Sequence, residues 1–349
     1  MTLPNLATEK MIEFLCGLLN TPSPTGMADA GIAFTEQALA AVPGISMRRT
    51  RKGALVAVIP GQRSDAPRAL TAHCDTLGGM VKEIKPNGRL KLTQIGGFAW
   101  NTVENEGCTI FTASGKTVRG SLLVNTASAH VYRMAVTETK REDANMEVRL
   151  DARTTNAEET RALGIQVGDF VAFDPRVEVV NGFVRSRHLD DKACVACVVA
   201  AMQALADAGL KPVQTTYLHI SNYEEVGHGA SAGIPDEVTE LLTVDMAAVG
   251  DGQTSNEYQT SLCVKDSGGP YHHGLSNRLR QLADEHQIPY VVDVYPFYGS
   301  DGEAFWRAGG DVAVALIGPG VDASHGYERT HTDALEATAR WVMAYLLGE

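Results

Sequence analysis

Two hydrophobic patterns alternate along the chain. In its first and last parts, apolar residues at helical spacing alternate with short β-branched runs, which are typical of strands buried on both faces. Between about residues 79 and 176 helical periodicity is nearly absent, and short β-like runs are separated by glycine-containing turns. We therefore expect an α/β domain from residues 1–78 and 178–349, with an inserted all-β, barrel-like domain at 79–177.

The α/β parts predict a definite order of elements. Helices are predicted at 6–19, 27–41, 190–208, 272–287, 301–308 and 332–347. Strands are predicted at 53–59, 68–73, 215–221, 240–245, 260–265, 290–295 and 312–317. In the insertion, 118–124 and 167–174 are predicted as barrel strands and 156–163 as a short helix. Because strands that alternate with helices usually pair in parallel, we expect a mostly parallel sheet flanked by helices.

Composition narrows the possible partners. The 349 residues include 42 acidic and 30 basic side chains, which gives a net charge of −12. This excess argues against nucleic acid or an anionic membrane as the main partner. We find no apolar run of the ~20 residues that a membrane span requires, and the acidic, amphipathic N-terminal stretch is unlike a secretory signal. The six scattered cysteines fit free thiols in a reducing cytoplasm.

Two adjacent carboxylates follow the run that we expect to form a central strand. Glu224 and Glu225 come just after the apolar residues 215–221, and Gly227 and Gly229 then allow a sharp turn. Ligands bind at the carboxyl ends of strands in open α/β sheets. One carboxylate could bind a metal while its neighbour acts as a general base. Taken alone, the pair could equally be a solvated loop feature.

Other possible ligands also lie close to the ends of predicted elements. They are His73, Asp75, Asp190, Asp191, Asp245, His325 and His331. Each has a structural alternative, as a loop histidine, a helix cap or a turn-forming aspartate. Together they would line one edge of the sheet with imidazoles and carboxylates, which suits zinc, cobalt or manganese. Two such ions about 3.5–4 Å apart would need a bridging carboxylate.

The motifs around these residues resemble, in chain order, those of the glutamyl and deblocking aminopeptidases, a family of dizinc metallopeptidases. The matching stretches are LTAHCDTLGGMV, SRHLDDKACVA, NYEEVGHGA, VDMAAVGDG, YGSDGEAF and GPGVDASHGYERTH. The resemblance covers essentially the whole chain and implies the zinc-dependent exopeptidase fold, which is phosphorylase/hydrolase-like. It also implies a cytoplasmic homo-oligomer, a dimer that builds a tetrahedral dodecamer through the insertion. The ASHGYERTH loop resembles an osmolyte-peptide-associated subgroup of the family.

The resemblance also implies how two divalent metal ions, zinc in the first place, would be bound. Asp190 would bridge the ions, with His73 and Asp245 completing one site and Glu225 and a loop histidine completing the other. Asp191 would then be a cap or a supporting residue.

Two further roles and one ambiguity follow from the same resemblance. Glu224 would be the general base, and Asp75 would hold the His73 ring in the correct tautomer. The last loop departs from the family's RY-x-HS pattern. There we expect His331, which lies closest to the final helix, to be the ligand, with His325 as the alternative.

The implied activity is an aminopeptidase that releases N-terminal residues from short peptides by means of a metal-activated water. Two alternatives remain open. One is a dizinc amidase or deacylase that acts on N-acylated amino acids or dipeptides, and the other is a non-catalytic assembly subunit. Asp301, in YGSDGEAF, could shape the substrate pocket or simply cap the helix that follows it.

Overall fold

A computed structural model describes residues 2–349 and divides the chain into two units. One unit combines the chain up to Asp75 with Arg176–Glu349, and the other is Thr76–Pro175. The sequence placed these junctions after residues 78 and 177, slightly beyond the points at which the contacts change. Throughout residues 2–349, every helix is too short or too polar to cross a membrane.

The chain up to Asp75 begins with two helices and continues as three strands. They are α1 (Thr8–Leu19), α2 (Asp29–Leu39), β1 (Ser46–Arg49), β2 (Leu55–Ile59) and β3 (Arg63–His73). Helix α1 buries Met11, Leu15 and Leu18, the apolar stripe that its periodicity predicts. Strand β3 begins earlier than expected, because its first residues are polar and exposed and give no apolar signal.

The unit Thr76–Pro175 contains a closed antiparallel barrel of six strands. The strands are β4 (Gly78–Ile84), β5 (Leu90–Ile95), β6 (Gly107–Phe111), β7 (Thr117–Val124), β8 (Met146–Leu150) and β9 (Phe170–Phe173). The short helices are α3 (Ala129–Tyr132), α4 (Ala135–Glu138) and α5 (Ala157–Ala162). Alternate residues such as Leu90 and Leu92 fill its core. Closure pairs β4 with β9, so the sheet has no free edge.

The remainder of the chain mostly alternates strands and helices. Its elements are β10 (Glu178–Val180), β11 (Phe183–Ser186), α6 (Leu189–Asp207), β12 (Gln214–Ser221), β13 (Glu240–Val244), β14 (Ala247–Ala248), β15 (Thr260–Lys265), α7 (His273–Glu285), β16 (Tyr290–Val294), α8 (Asp301–Arg307), β17 (Ala313–Val321), β18 (Glu328–His331) and α9 (Thr332–Leu347). Helix α6 is apolar on every side and is buried almost throughout, as expected of a central helix.

The main sheet confirms the expected mostly parallel arrangement at its centre. Its strand order is β1-β2-β12-β3-β13-β17-β15-β16. Strands β12, β3, β13 and β17 run parallel, with Ser221 opposite His73 and Thr243 opposite Thr71. The residues that follow β3, β12 and β13 therefore meet at one edge. A separate sheet, β10-β11-β18, lies outside the strands predicted above.

Candidate metal centre

Three buried side chains converge at the carboxyl edge of the main sheet. His73 ends β3, Asp190 lies in the first turn of α6, and Asp245 follows β13. One potential ligand atom from each lies within 4.8 Å of the others. The parallel strands bring two of these residues together, and the start of α6 supplies the third. The sequence analysis expected all three residues at this place.

Asp190 lies between two histidines. Its Oδ1 is 3.1 Å from Nε2 of His73, and its Oδ2 is 3.3 Å from Nε2 of His325. Each carboxylate oxygen thus faces a different imidazole. This is the arrangement that a carboxylate shared by two metal ions requires.

The adjacent carboxylates after β12 approach different histidines. Glu224 Oε2 is 3.6 Å from His73 Nε2, whereas Glu225 Oε2 is 3.6 Å from His325 Nε2. The two neighbouring carboxylates therefore face different histidines. We call the six side chains of this site the sheet-edge cluster: His73, Asp190, Glu224, Glu225, Asp245 and His325.

The choice of His331 as the last ligand is not supported by its surroundings. His331 ends β18 and caps α9, with its Nδ1 accepting a hydrogen bond from the Asp333 N–H at 3.2 Å. Its ring packs against Phe183 and Tyr258. His325, the alternative, reaches the cluster because its loop reverses direction, with φ +61° at His325 itself. His325 thus contacts Asp190 and Glu225, whereas His331, the ligand expected from the sequence, has other partners.

Asp75 contacts both the histidine and the glutamate loop. The Nδ1 of His73 lies 2.9 Å from the Asp75 backbone oxygen, whereas the Asp75 carboxylate is 3.8 Å from this nitrogen. The carbonyl, rather than the expected carboxylate, can therefore fix the ring with Nε2 facing Asp190. The carboxylate accepts hydrogen bonds from the Glu224 N–H and from the Thr25 hydroxyl, at 3.2 and 2.7 Å. It thereby positions the backbone of Glu224.

Asp191 also supports the cluster rather than entering it. Its Oδ2 accepts a hydrogen bond from the backbone N–H of His73 at 3.1 Å. The peptide bond between Asp190 and Asp191 is cis, and regular helical geometry in α6 starts only after these two residues.

Burial dominates the electrostatics of the cluster. Burial raises the pKa of Glu224 well above its usual range. Burial and the charge of Asp190 also raise the pKa of Glu225 well above its usual range. Burial and then Asp190 raise the pKa of Asp245 to about 7. For Asp190 itself, hydrogen bonds with His325 and then His73 outweigh burial and lower the pKa. The cluster thus holds more acidic groups than its imidazoles balance.

The donor set of the sheet-edge cluster could hold divalent metal ions. Imidazole nitrogens and carboxylate oxygens are the ligands of zinc and of neighbouring transition metals. Positive ions would also offset the carboxylate charge that burial opposes. The residues therefore fit a dimetal centre in two ways: their ligand types are suitable, and the two oxygens of Asp190 face different histidines.

A cavity of about 670 Å³ opens beside the cluster. On one side it is lined by Asp190, Glu224, Glu225, Asp245 and His325. Its other walls include apolar and aromatic side chains, namely Met246, Ala248, Tyr295, Phe297 and Tyr298. Converging polar groups that face an apolar and aromatic wall are typical of a small-ligand site.

The loop after Glu225 is fastened by two residues outside the cluster. Lys52 donates to the backbone oxygens of His228 and Gly229, the latter at 2.9 Å. Asp301 accepts from the Ala230 N–H at 2.7 Å. Asp301 was expected to shape the pocket or cap a helix, and Lys52 had no expected role. A lysine in an exposed turn carries no signal in the sequence for such a contact.

Another supporting residue that the sequence analysis missed is Glu328. Its carboxylate accepts from the backbone N–H groups of Asp190 and His325, at 3.1 and 2.9 Å. Burial and the charge of Asp190 raise the pKa of Glu328 to about 8, although these two donors lower it. A glutamate two residues beyond a glycine looks like a solvated loop charge in the sequence, so only the fold reveals this contact.

Comparisons with known proteins identify the family of the chain. The model of the M42 glutamyl aminopeptidase family matches residues 53–341. The putative aminopeptidase YhfE of Bacillus subtilis (strain 168) is 47% identical over 341 residues, which cover 97% of this chain and 98% of that protein.

Two solved structures share the fold at low sequence identity. The TET aminopeptidase of the marine sediment archaeon Thaumarchaeota archaeon SCGC AB-539-E09 has a TM-score of 0.87 and 18% identity, covering 97% of this chain and 96% of that one. The Pyrococcus horikoshii TET1 peptidase, which can assemble into a tetrahedron or a large octahedral shell, has a TM-score of 0.85 and 19% identity. That alignment covers 97% of this chain and 100% of the other.

Proposed function

Since this chain belongs to the M42 glutamyl aminopeptidase family and is an aminopeptidase, we propose that it cleaves N-terminal residues from short peptides at a centre of two divalent metal ions. The observation that carries the proposal is the position of Asp190, whose oxygens face His73 and His325. We assign His73, Asp190 and Asp245 to one ion, and Asp190, Glu225 and His325 to the other. Zinc is the favoured ion, and cobalt or manganese suits the same donors.

Glu224 acts as the general base in this proposal. When bound, the ions lower the pKa of a water molecule and polarise the scissile carbonyl. Glu224 accepts a proton from the attacking water and then donates it to the leaving amine. Burial raises the pKa of Glu224 above its usual range, which favours transfer of a proton to its carboxylate. The hydrogen bond from the Glu224 N–H to Asp75 keeps this residue in place.

The cavity beside the cluster accommodates the substrate in this proposal. Its carboxylates attract the free α-amine of a peptide, and its apolar wall receives the first side chain. A volume of about 670 Å³ suits a short peptide rather than a folded protein. The substrate is thus a small peptide with an unblocked N-terminus.

We also propose that the chain works as a homo-oligomer. The support is the fold that it shares with the Pyrococcus horikoshii TET1 peptidase, together with a separate barrel unit that could serve as the dimerisation domain. Multi-angle light scattering measures the mass directly. A monomer at micromolar concentration would contradict the assembly but leave the proposed chemistry untouched.

The test of the reaction compares two substrate panels. Chelator-stripped protein is supplied with zinc, cobalt or manganese and assayed on free-amine aminoacyl anilides and on the same anilides with an acetylated amine. We expect metal-dependent release from the free-amine panel only. Release from the acetylated panel alone would replace this proposal with an amidase or deacylase. No release from either panel, by protein that binds about two ions, would reject a peptidase acting on such short substrates.

A further inference from the structure

Glu328 connects the two chain segments that carry Asp190 and His325. It is the first residue of β18 and is 1% exposed. Its Oε2 accepts from the N–H of Asp190 at 3.1 Å, and its Oε1 accepts from the N–H of His325 at 2.9 Å. The two oxygens of one side chain thus fix the backbones of two cluster residues that are far apart in sequence.

The fold explains why these two N–H groups need such a partner. Asp190 precedes the regular helical part of α6, so no helical carbonyl four residues before it accepts from its N–H. His325 lies in the loop between β17 and β18, outside both strands. Strand β18 pairs with β11 so that Glu328 lies opposite Ser186, shortly before Asp190. Glu328 is therefore held where both donors can reach it.

We infer that Glu328 is a positioning residue that sets the separation between the Asp190 carboxylate and the His325 imidazole. At present Asp190 Oδ2 and His325 Nε2 are 3.3 Å apart. If the backbone at Asp190 or at His325 shifts, these two atoms can no longer bind one ion together. This inference rests on the proposed function in one respect: the Asp190 carboxylate and the His325 imidazole are taken to bind the same ion. Loss of Glu328 weakens the ion assigned to Asp190, Glu225 and His325 more than the ion assigned to His73, Asp190 and Asp245.

The role requires the ionised carboxylate of Glu328, not only a side chain of the same shape. The two backbone N–H donors favour that form, and bound cations nearby would favour it further. A carboxylate offers two acceptor oxygens, whereas the glutamine amide replaces one of them with an NH₂ donor. In Glu328→Gln, that NH₂ group would face a backbone N–H, and one buried donor would lose its partner. Glu328→Asp keeps both oxygens but is one methylene shorter. Acceptor chemistry therefore predicts that Gln is the more damaging change, whereas packing alone predicts the reverse.

The experiment is calorimetric titration of zinc into metal-stripped wild type, Glu328→Gln and Glu328→Asp. Removal of such a supporting contact typically lowers metal affinity about 10- to 100-fold. We expect a loss of that size in the weaker of two binding steps for Glu328→Gln, and a smaller loss for Glu328→Asp. Cobalt absorption spectra provide a second readout, because a displaced His325 changes the ligand field. Circular dichroism checks that each variant is folded.

Glu240→Gln is a matched control. Glu240 is a largely buried carboxylate in the same unit, at the opposite end of β13, where it binds Arg278 and Arg68. Its replacement should lower stability but leave both zinc-binding steps unchanged. The comparison therefore separates a general loss of stability from a local effect on the ion site.

Several results would overturn the inference. They are wild-type zinc affinity in Glu328→Gln, a larger loss in Glu328→Asp than in Glu328→Gln, or an equal loss in Glu240→Gln. Wild-type protein that binds fewer than two ions would overturn it together with the ion assignment. If wild-type protein binds two ions but releases no amino acid, only the proposed reaction is contradicted. The inference would then still be decided by which Glu328 variant loses more zinc affinity.

Discussion

Glu147 in the barrel and Glu224 at the sheet edge are both largely buried carboxylates, with side chains 3% and 15% exposed. The oxygens of Glu147 are bound by Lys85 and by Arg89, the latter at 2.6 Å. Glu224 instead contacts His73 and lies close to the carboxylate of Asp245. One acid is matched by cations, whereas the other belongs to a group of acids.

The difference distinguishes a structural carboxylate from a functional one. Cationic side chains that contact a buried carboxylate compensate for its lost hydration, so the negative charge destabilises the protein less. In the sheet-edge cluster, burial and neighbouring acids raise the pKa of Glu224 and Glu225. Such an arrangement destabilises the protein on its own and is typical of a site shaped for chemistry. The following experiments test this contrast, starting with the largest expected effect.

Glu224→Gln should abolish turnover while the protein still binds its ions. Loss of a general base typically lowers kcat by about 10²- to 10⁴-fold. The measurements are kcat on the best anilide and metal content by atomic emission. Glu147→Gln in the barrel is the control and should keep wild-type kcat. Substantial activity in Glu224→Gln would show that another group accepts the proton.

His325→Ala and His331→Ala should differ in metal binding. His325 contacts Asp190 and Glu225, so we expect its loss to weaken one ion and to lower activity about 100-fold. His331 caps α9, so its loss should reduce stability by about 1 kcal/mol and leave both ions bound. Zinc titration and thermal melts of both variants measure these effects. Weaker zinc binding in His331→Ala alone would restore the assignment made from the sequence.

Replacing one buried acid in each region should change stability in opposite directions. In metal-stripped protein, Glu147→Gln should lower the free energy of unfolding by about 1–3 kcal/mol, because two cations lose their partner. Glu224→Gln should raise the free energy of unfolding by about 1–2 kcal/mol, because an unfavourable buried charge is removed. Urea unfolding with chelator present measures both changes. Destabilisation of similar size in the two variants would remove the contrast between the regions.

The stabilising effect of Glu224→Gln should also depend on pH. The pKa of Glu224 is raised in the folded protein, so the folded state binds this proton more tightly than the unfolded chain. The wild type therefore loses stability as the pH rises above about 4.3, the pKa of an unperturbed glutamate. The advantage of Glu224→Gln should be small at low pH and grow toward neutral pH. A constant difference between pH 4 and pH 8 would contradict this explanation.

Replacing Lys52 tests whether this cation beside the sheet edge acts through hydrogen bonds to the backbone or through its charge on the carboxylates. Its ammonium donates to the Gly229 oxygen at 2.9 Å and to the Ser231 hydroxyl at 3.0 Å. Lys52→Met should loosen the loop that follows Glu225 and lower kcat about fivefold through imperfect orientation. Metal content should not change, and Lys52→Arg should recover part of the activity. Loss of bound ions in Lys52→Met would instead indicate a direct electrostatic role.

Most residues of the sheet-edge cluster could be predicted because the alternation of apolar strand-like runs with helices indicates parallel strands. His73 and Asp245 end or follow short apolar runs, and Glu224 comes shortly after another. Once these runs are taken as parallel strands, their ends must meet at one edge. The contact of Asp190 with both histidines depends on how the start of α6 is turned, and no apolar pattern describes that.

The last loop could not be predicted in the same way. His331 was the predicted ligand because it is nearest to the final helix, but the four-residue strand β18 lies between the loop and that helix. The direction of the loop depends on positive φ angles at Ala323 and His325, which are not glycines and give no turn signal. Glu328 was missed for a related reason, since its partners are backbone groups of distant segments.

The late position of His325 and Glu328 in the chain affects when the centre can form during translation. A ribosome-bound chain that has reached β17 already contains His73, Asp190 and Asp245, but the loop that supplies His325 has not been made. Domains fold as their residues emerge, so the early part of the sheet can form while the centre is still incomplete. The site that we propose would therefore be complete only after residue 328 has emerged from the ribosome.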